Sequence, residues 1–120
     1  MAIRAKSVYE EASPDDGVRV LTTNYWPRGV SKERAGMYVR ALAPSRELLR
    51  AFKDGEISWE QYEPRYLAEM SGEAQRDEIA RLAERAASET VTVMCVCKEE
   101  AQCHRRLLRA MIEERMRAPV

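Results

Sequence analysis

Outside one short stretch, this chain has neither cysteine nor histidine. Its 120 residues hold three cysteines and a single histidine, and all four lie between Cys95 and His104. Chemistry that needs a thiol or an imidazole is therefore confined to that stretch. An odd number of thiols without a secretion signal argues against a disulfide scaffold and for a reducing compartment. The opening MAIRAKSVYEE lacks the apolar stretch of a signal peptide. No window reaches the ~18 consecutive apolar residues of a membrane span. A cytoplasmic protein without membrane contact is the expectation. Net charge is missing as well: twenty Lys and Arg face twenty Asp and Glu. That total gives no support to nonspecific nucleic-acid capture. There are no internal repeats and no low-complexity tracts. The carboxylates do not converge either: Asp15, Asp16, Glu60 and Glu63 read as solvated faces and turns.

What is present suits one globular domain. The chain is 45% hydrophobic and 33% charged, and a core of this size folds without staples. Ile3 to Tyr9 reads as a strand, closed by the turn residues Ser13, Pro14 and Gly17. The β-branched run Val18 to Tyr25 reads as a second strand. Pro27 and Gly29 break it, because Pro27 forces extension before it and Gly29 permits unusual dihedrals. Ser31 to Leu42 is ambiguous between short helix and irregular chain. Ser45 caps a helix over Arg46 to Lys53 that Gly55 stops. Ser58 and Gln61 have capping-box spacing, and Pro64 then falls inside the helix they open, where it should kink it or move its start forward. Glu73 to Ser88 is helical, with Ile79, Leu82, Ala83 and Ala86 on one face. Val91 to Cys97 is apolar at both parities, as a strand covered on both faces should be. Gln102 to Met116 is the last helix, with Leu107, Leu108, Met111, Ile112 and Met116 inward. The order predicts an α/β fold: a single small domain, residues 1–120, with a largely parallel sheet flanked by helices.

In such sheets ligands sit beyond the carboxyl ends of the strands. Two loops then matter: Trp26 to Gly29 and Lys98 to Arg105. Both carry arginine, and their meeting in space is the central structural expectation.

The blocks RVLTTNYWPRGVSKE (Arg19 to Glu33), LAPSRELL (Leu42 to Leu49), DGEISWEQYEPRYLAEM (Asp54 to Met70) and VTVMCVC…CHRRLL occur in family order and cover most of the chain. Together they resemble the bacterial and archaeal family called domain of unknown function 488. The W-P-R-G and C-H-R blocks carry the resemblance most specifically. It implies a compact α/β domain and no settled reaction. Thr23 and Asn24 stand where many members have an acidic residue and an arginine, and many members lack the Cys95–Cys97 pair.

Three chemistries fit the residues. In the first, Cys103, His104 and Arg105 open a helix whose unpaired N–H groups face a phosphate or carboxylate. Arg105 and Arg28 add guanidinium clamps, Gly29 gives the loop its bend, and Tyr25 and Trp26 offer a flat surface to a base. The ligand is then a nucleotide or another small phosphorylated compound. The plain alternative pairs both arginines with acidic neighbours and puts Trp26 in the core. In the second, Cys103 is a thiolate nucleophile at a helix N-terminus, with His104 as the proton carrier. The alternative there is a small buried residue. In the third, the pattern C-x-C-x5-C-H supplies Cys95, Cys97, Cys103 and His104 to zinc. No cofactor is expected outright, because adjacent helical residues diverge by about 100° and Cys103 and His104 bind together only if the helix starts after them. A Cys97–Cys103 disulfide is a further option.

From another class comes a nucleic-acid module, with Arg40, Arg46, Arg50 and the last helix's arginines as a basic stripe. A structural protein without a ligand is the third class. The subunit state reads as monomer or homodimer.

Overall fold

A computed structural model describes residues 2–96 and 103–117. Four strands form one parallel sheet: β1 (Ala2–Ser7), β2 (Val18–Leu21), β3 (Met37–Tyr38) and β4 (Thr90–Cys95). Five helices accompany them: α1 (Lys32–Ala35), α2 (Arg46–Lys53), α3 (Trp59–Glu69), α4 (Glu73–Ala86) and α5 (His104–Arg117). The small α/β domain with a parallel sheet is thus as the sequence predicts.

The sheet order is β1-β4-β2-β3. β4 arrives last and slots between the first two strands. It pairs Val91 with both Ile3 and Val18, and Val93 with both Ala5 and Val20. A strand in that position is covered on both faces, which is why its run is apolar at both parities. One face carries the larger core, where Ile3, Val20, Val91 and Val93 meet Leu48, Tyr62, Tyr66, Leu82, Leu108 and Ile112. On the other face Val8, Leu21 and Met94 pack with Val30 and Ala35.

Local signals place the helices well. Ser45 Oγ accepts the Leu48 N–H and opens α2 where the sequence sets it. Ser58 and Gln61 form the capping box of α3. Pro64 remains inside α3, whose interior therefore lacks one N–H donor. The ambiguous segment resolves into α1, capped by Ser31, and the two-residue edge strand β3. Gly36 joins them with φ 66°, and its backbone lies so close to the Arg19 carbonyl that a Cβ would sit 2.3 Å from that oxygen.

Three boundaries shift. β1 stops at Ser7, because Tyr9 is already in the turn that follows. β2 stops at Leu21: the Thr22 N–H still reaches the Met94 carbonyl, but the Thr23 hydroxyl bonds the Tyr25 carbonyl and turns the chain. β4 ends at Cys95, and the predicted positions Cys97 and Gln102 lie outside the described residues.

Asp16 corrects the reading of the acidic turns. It is buried, and its carboxylate takes Lys6 at 3.1 Å, Arg19, and the Ser13 N–H at 3.0 Å. Thr92 on β4 donates to its backbone carbonyl at 2.7 Å. Burial alone would raise the Asp16 carboxyl, but the Ser13 N–H, Lys6 and Arg19 outweigh it and hold it below the ordinary value.

Candidate functional site

The carboxyl ends of β2 and β4 lie side by side, and their exits diverge. β2 leads outward to α1 and β3, while β4 leads to α5, which packs on α4 and β1. Such a divergence leaves a crevice at the strand ends. Four polar residues meet there, each delivered by the end of an element: Thr22 after β2, Cys95 at the end of β4, and Cys103 with His104 at the start of α5.

All four are buried, as is Arg105. The His104 Nε2 lies 2.8 Å from the Thr22 carbonyl oxygen and 3.1 Å from its hydroxyl. A carbonyl only accepts, so Nε2 carries the ring proton. The Thr22 hydroxyl donates to the Met94 carbonyl and so accepts from the same ring N–H. Nδ1 faces Cys103 Sγ at 3.8 Å. Cys103 Sγ and Cys95 Sγ are 2.7 Å apart. Arg105 Nη1 donates to Cys95 Sγ at 3.2 Å. Tyr66 walls the cluster with its ring 5.6 Å from the imidazole, and its hydroxyl donates to the Leu42 carbonyl at 2.8 Å. Burial raises the Tyr66 phenol well above its ordinary value, helped by Tyr62, Cys103, Glu69 and Cys95, so it stays a neutral donor.

A small cavity of about 30 Å³ reaches this cluster, lined by Cys95, His104, Thr23 and Pro44 together with Asn24, Tyr25, Leu49 and Lys53. The last four also line a wider groove of about 400 Å³, whose other walls are Arg46, Arg50 and Asp54. The two spaces share one wall, so the groove leads toward the thiol–imidazole cluster.

The predicted residues divide. Cys95, Cys103, His104 and Arg105 come together, and Tyr25 faces the groove that leads to them. Arg28 does not share their environment. It is exposed and its carbonyl takes the Tyr9 hydroxyl at 3.0 Å, whereas Arg105 is only 2% exposed and lies on sulfur. Trp26 is not core: it is 43% exposed, packs edge-on to Tyr38 at 5.5 Å, and donates its indole N–H to the Val30 carbonyl. Gly29 does bend the loop, with φ 77°, beside no other group. Cys97 lies outside the described residues.

Sequence reasoning set Arg46 and Arg50 on a basic stripe but did not single out Thr22, Lys53 or the groove beside α2. The signal for α2 was there: Arg46, Arg50 and Lys53 recur at helical spacing on one face, with Leu48 on the other. A further signal concerned Arg105. Counting i, i+3, i+7 from it gives Leu108 and Ile112, so its side chain belongs to the apolar stripe of α5.

The sequence profile of the active DUF488-N3 subclade matches residues 3–116. The chain belongs to the DUF488 family. Two relatives fit alongside it. Uncharacterized protein Rv3073c of Mycobacterium tuberculosis is 30% identical over 115 residues, covering 94% of this chain and 95% of the relative. Uncharacterized protein YeaO of Escherichia coli K12 is 32% identical over 106 residues, covering 87% of this chain and 90% of the relative. No solved structure matches. Among the described residues no helix is long and apolar enough to cross a membrane. For this DUF488 chain, the W-P-R-G block thus shapes an exposed loop, while the C-H-R block builds the buried cluster.

Proposed function

We propose that this DUF488 protein binds a nucleotide or another small phosphorylated ligand in the groove between the tail of β2 and α2. One observation carries the reading: three cations, Arg46, Arg50 and Lys53, line a groove that shares Asn24, Tyr25, Leu49 and Lys53 with the cavity reaching His104 and Cys95. A groove of about 400 Å³ suits a small organic ligand. Asp54 offsets one of the cations and leaves the wall net positive. Tyr25, 47% exposed, offers a flat face for a base. Relative to the reading from sequence, the cations of the second wall come from α2 instead of Arg28, and Arg105 acts from below through Cys95.

The test is calorimetric titration with inorganic phosphate, a nucleoside monophosphate and a nucleoside triphosphate, paired with thermal melts. Binding should raise the melting temperature, by the equivalent of about 2.7 kcal/mol at a hundredfold excess over Kd. The double variant Arg50→Gln, Lys53→Gln should bind at least tenfold more weakly and melt normally without ligand. Unmoved melting temperatures at millimolar ligand would remove the proposal. So would equal affinity in the double variant, or a preference for single-stranded nucleic acid with steep salt dependence.

A further inference from the structure

The cluster at the floor of that groove has a composition that anion binding does not need. A phosphate site calls for cations and N–H groups, whereas this floor holds two thiols and an imidazole. We propose that Cys95, Cys103 and His104 bind one soft divalent cation, zinc being the type ion. This inference stands on the cluster alone and holds whether or not the groove takes a phosphate.

Four observations lead there. First, the three ligand atoms all lie within 4.8 Å of one another. In a tetrahedral site with Zn–S near 2.3 Å and Zn–N near 2.0 Å, ligand atoms stand roughly 3.6 Å apart. Cys103 Sγ and His104 Nδ1 already match that spacing at 3.8 Å. The two sulfurs, at 2.7 Å, must spread by about 1 Å, a modest side-chain rotation. The sequence objection was that adjacent helical residues diverge. It falls because α5 begins at His104, so Cys103 lies before the helix and its side chain is free of that geometry.

Second, the imidazole is preset. The Thr22 carbonyl fixes the proton on Nε2 and leaves Nδ1 as the ligating atom on the sulfur side. A backbone carbonyl holding the far nitrogen of a ligating histidine is the usual supporting contact of such sites. Third, the sulfur is preset. Arg105 Nη1 donates to Cys95 Sγ at 3.2 Å, which fixes that sulfur beside the other two ligand atoms. Fourth, a route exists. Cys95 and His104 line the small cavity, which has room for an ion or a water.

The experiment uses the whole chain, reduced, stripped with a chelator and free of phosphate. Cobalt(II) is titrated in and the thiolate-to-cobalt charge-transfer band is followed, then displaced with zinc. The expected result is one cobalt per chain, with tetrahedral visible bands. Cys95→Ser and Cys103→Ser should each lose the band or weaken binding by about 100-fold. Melting temperature without metal tells a ligand loss from an unfolded variant, and serine is close enough in size to preserve the fold. No charge-transfer band at a stoichiometric excess of cobalt would overturn the proposal. So would a band indifferent to Cys95→Ser and Cys103→Ser. Mass spectrometry showing that the thiols close into a disulfide instead of taking up metal would also overturn it. Anion binding is measured separately on Cys103→Ser protein, so failure of one proposal does not entail failure of the other.

Discussion

Two buried polar clusters touch the central strand, and they are built on opposite principles. Near Thr92, Asp16 meets Lys6, Arg19 and the Ser13 N–H, so a negative charge is closed by positive charges and a backbone donor. Near Cys95, two thiols and an imidazole face one another, and the Arg105 guanidinium lies on one of the sulfurs. The first cluster satisfies its charge inside the fold. The second brings together soft ligating atoms, two sulfurs and an imidazole, within 4.8 Å of one another. The first tethers the loop before β2 to the sheet. The second lies at the strand ends, next to a cavity. Matched charges mark a cluster that holds structure, and gathered soft ligating atoms are what the proposed metal site is built from.

The largest effect should come from breaking the matched cluster. Asp16→Ala leaves Lys6 and Arg19 facing each other, both largely buried, and should cost about 3 kcal/mol in urea unfolding. Cobalt binding at the other cluster should be unchanged. A cost below about 1 kcal/mol would mean that the pair is solvated like a surface bridge. The same carboxylate makes stability depend on pH. Its folded value is depressed, so the stabilisation is present above the unfolded carboxylate value of 3.8 and drains away as pH falls through the lower folded value. Wild-type protein should therefore lose stability on acidification in that window. Asp16→Asn should show a flatter acid limb, and parallel limbs would assign the acid loss to other carboxylates.

How much of this was legible depends on how local each signal was. Ser45, Ser58 and the stripe Ile79, Leu82, Ala83, Ala86 act within one or two helical turns, and the sequence placed their helices to within a few residues. β3 was illegible because Met37 and Tyr38 form a strand only by lying beside Val20 and Leu21, and two residues have no period to detect. Asp16 read as a solvated turn because its partners sit ten residues before and three after, and Thr92 is far along the chain. The site was half legible. The strand-to-helix passage from Cys95 to Arg105 announces itself by residue type. Arg28 was singled out from its loop, whereas α2 reaches the strand ends only through the crossover from β3 to β4, which no local pattern records.

A smaller effect should follow from Thr22→Val, which keeps the shape and removes the hydroxyl. That hydroxyl donates to the Met94 carbonyl and shares the His104 N–H. The carbonyl retains the Thr22 N–H, and the imidazole retains the Thr22 carbonyl. The cost should be about 1 kcal/mol. The chain has one histidine, so its imidazole nitrogens give a single pair of resonances. These should report the Nε2–H tautomer in wild type and variant alike. A switch to Nδ1–H in the variant would show that the hydroxyl, not the carbonyl, sets the ring, and the mutated protein should then bind cobalt more weakly.

The smallest effect on stability should carry the opposite sign. Arg46 is the first residue of α2, where the helix dipole disfavours a cation, and Arg50 lies one turn on with the same charge. Both are exposed along the groove. Arg46→Gln removes the dipole conflict and the like-charge pair, and should raise stability by about 0.5 kcal/mol at low salt. The same substitution should weaken phosphate binding several-fold, with a shallower salt dependence than wild type. A helix that gains stability when a cation is deleted has been holding that cation for something other than folding, and the groove wall is where it is held. If Arg46→Gln destabilises the chain by more than about 1 kcal/mol, or leaves phosphate affinity untouched, the basic face of α2 belongs with the Asp16 cluster as structure, and the contrast between the two regions no longer marks where binding occurs.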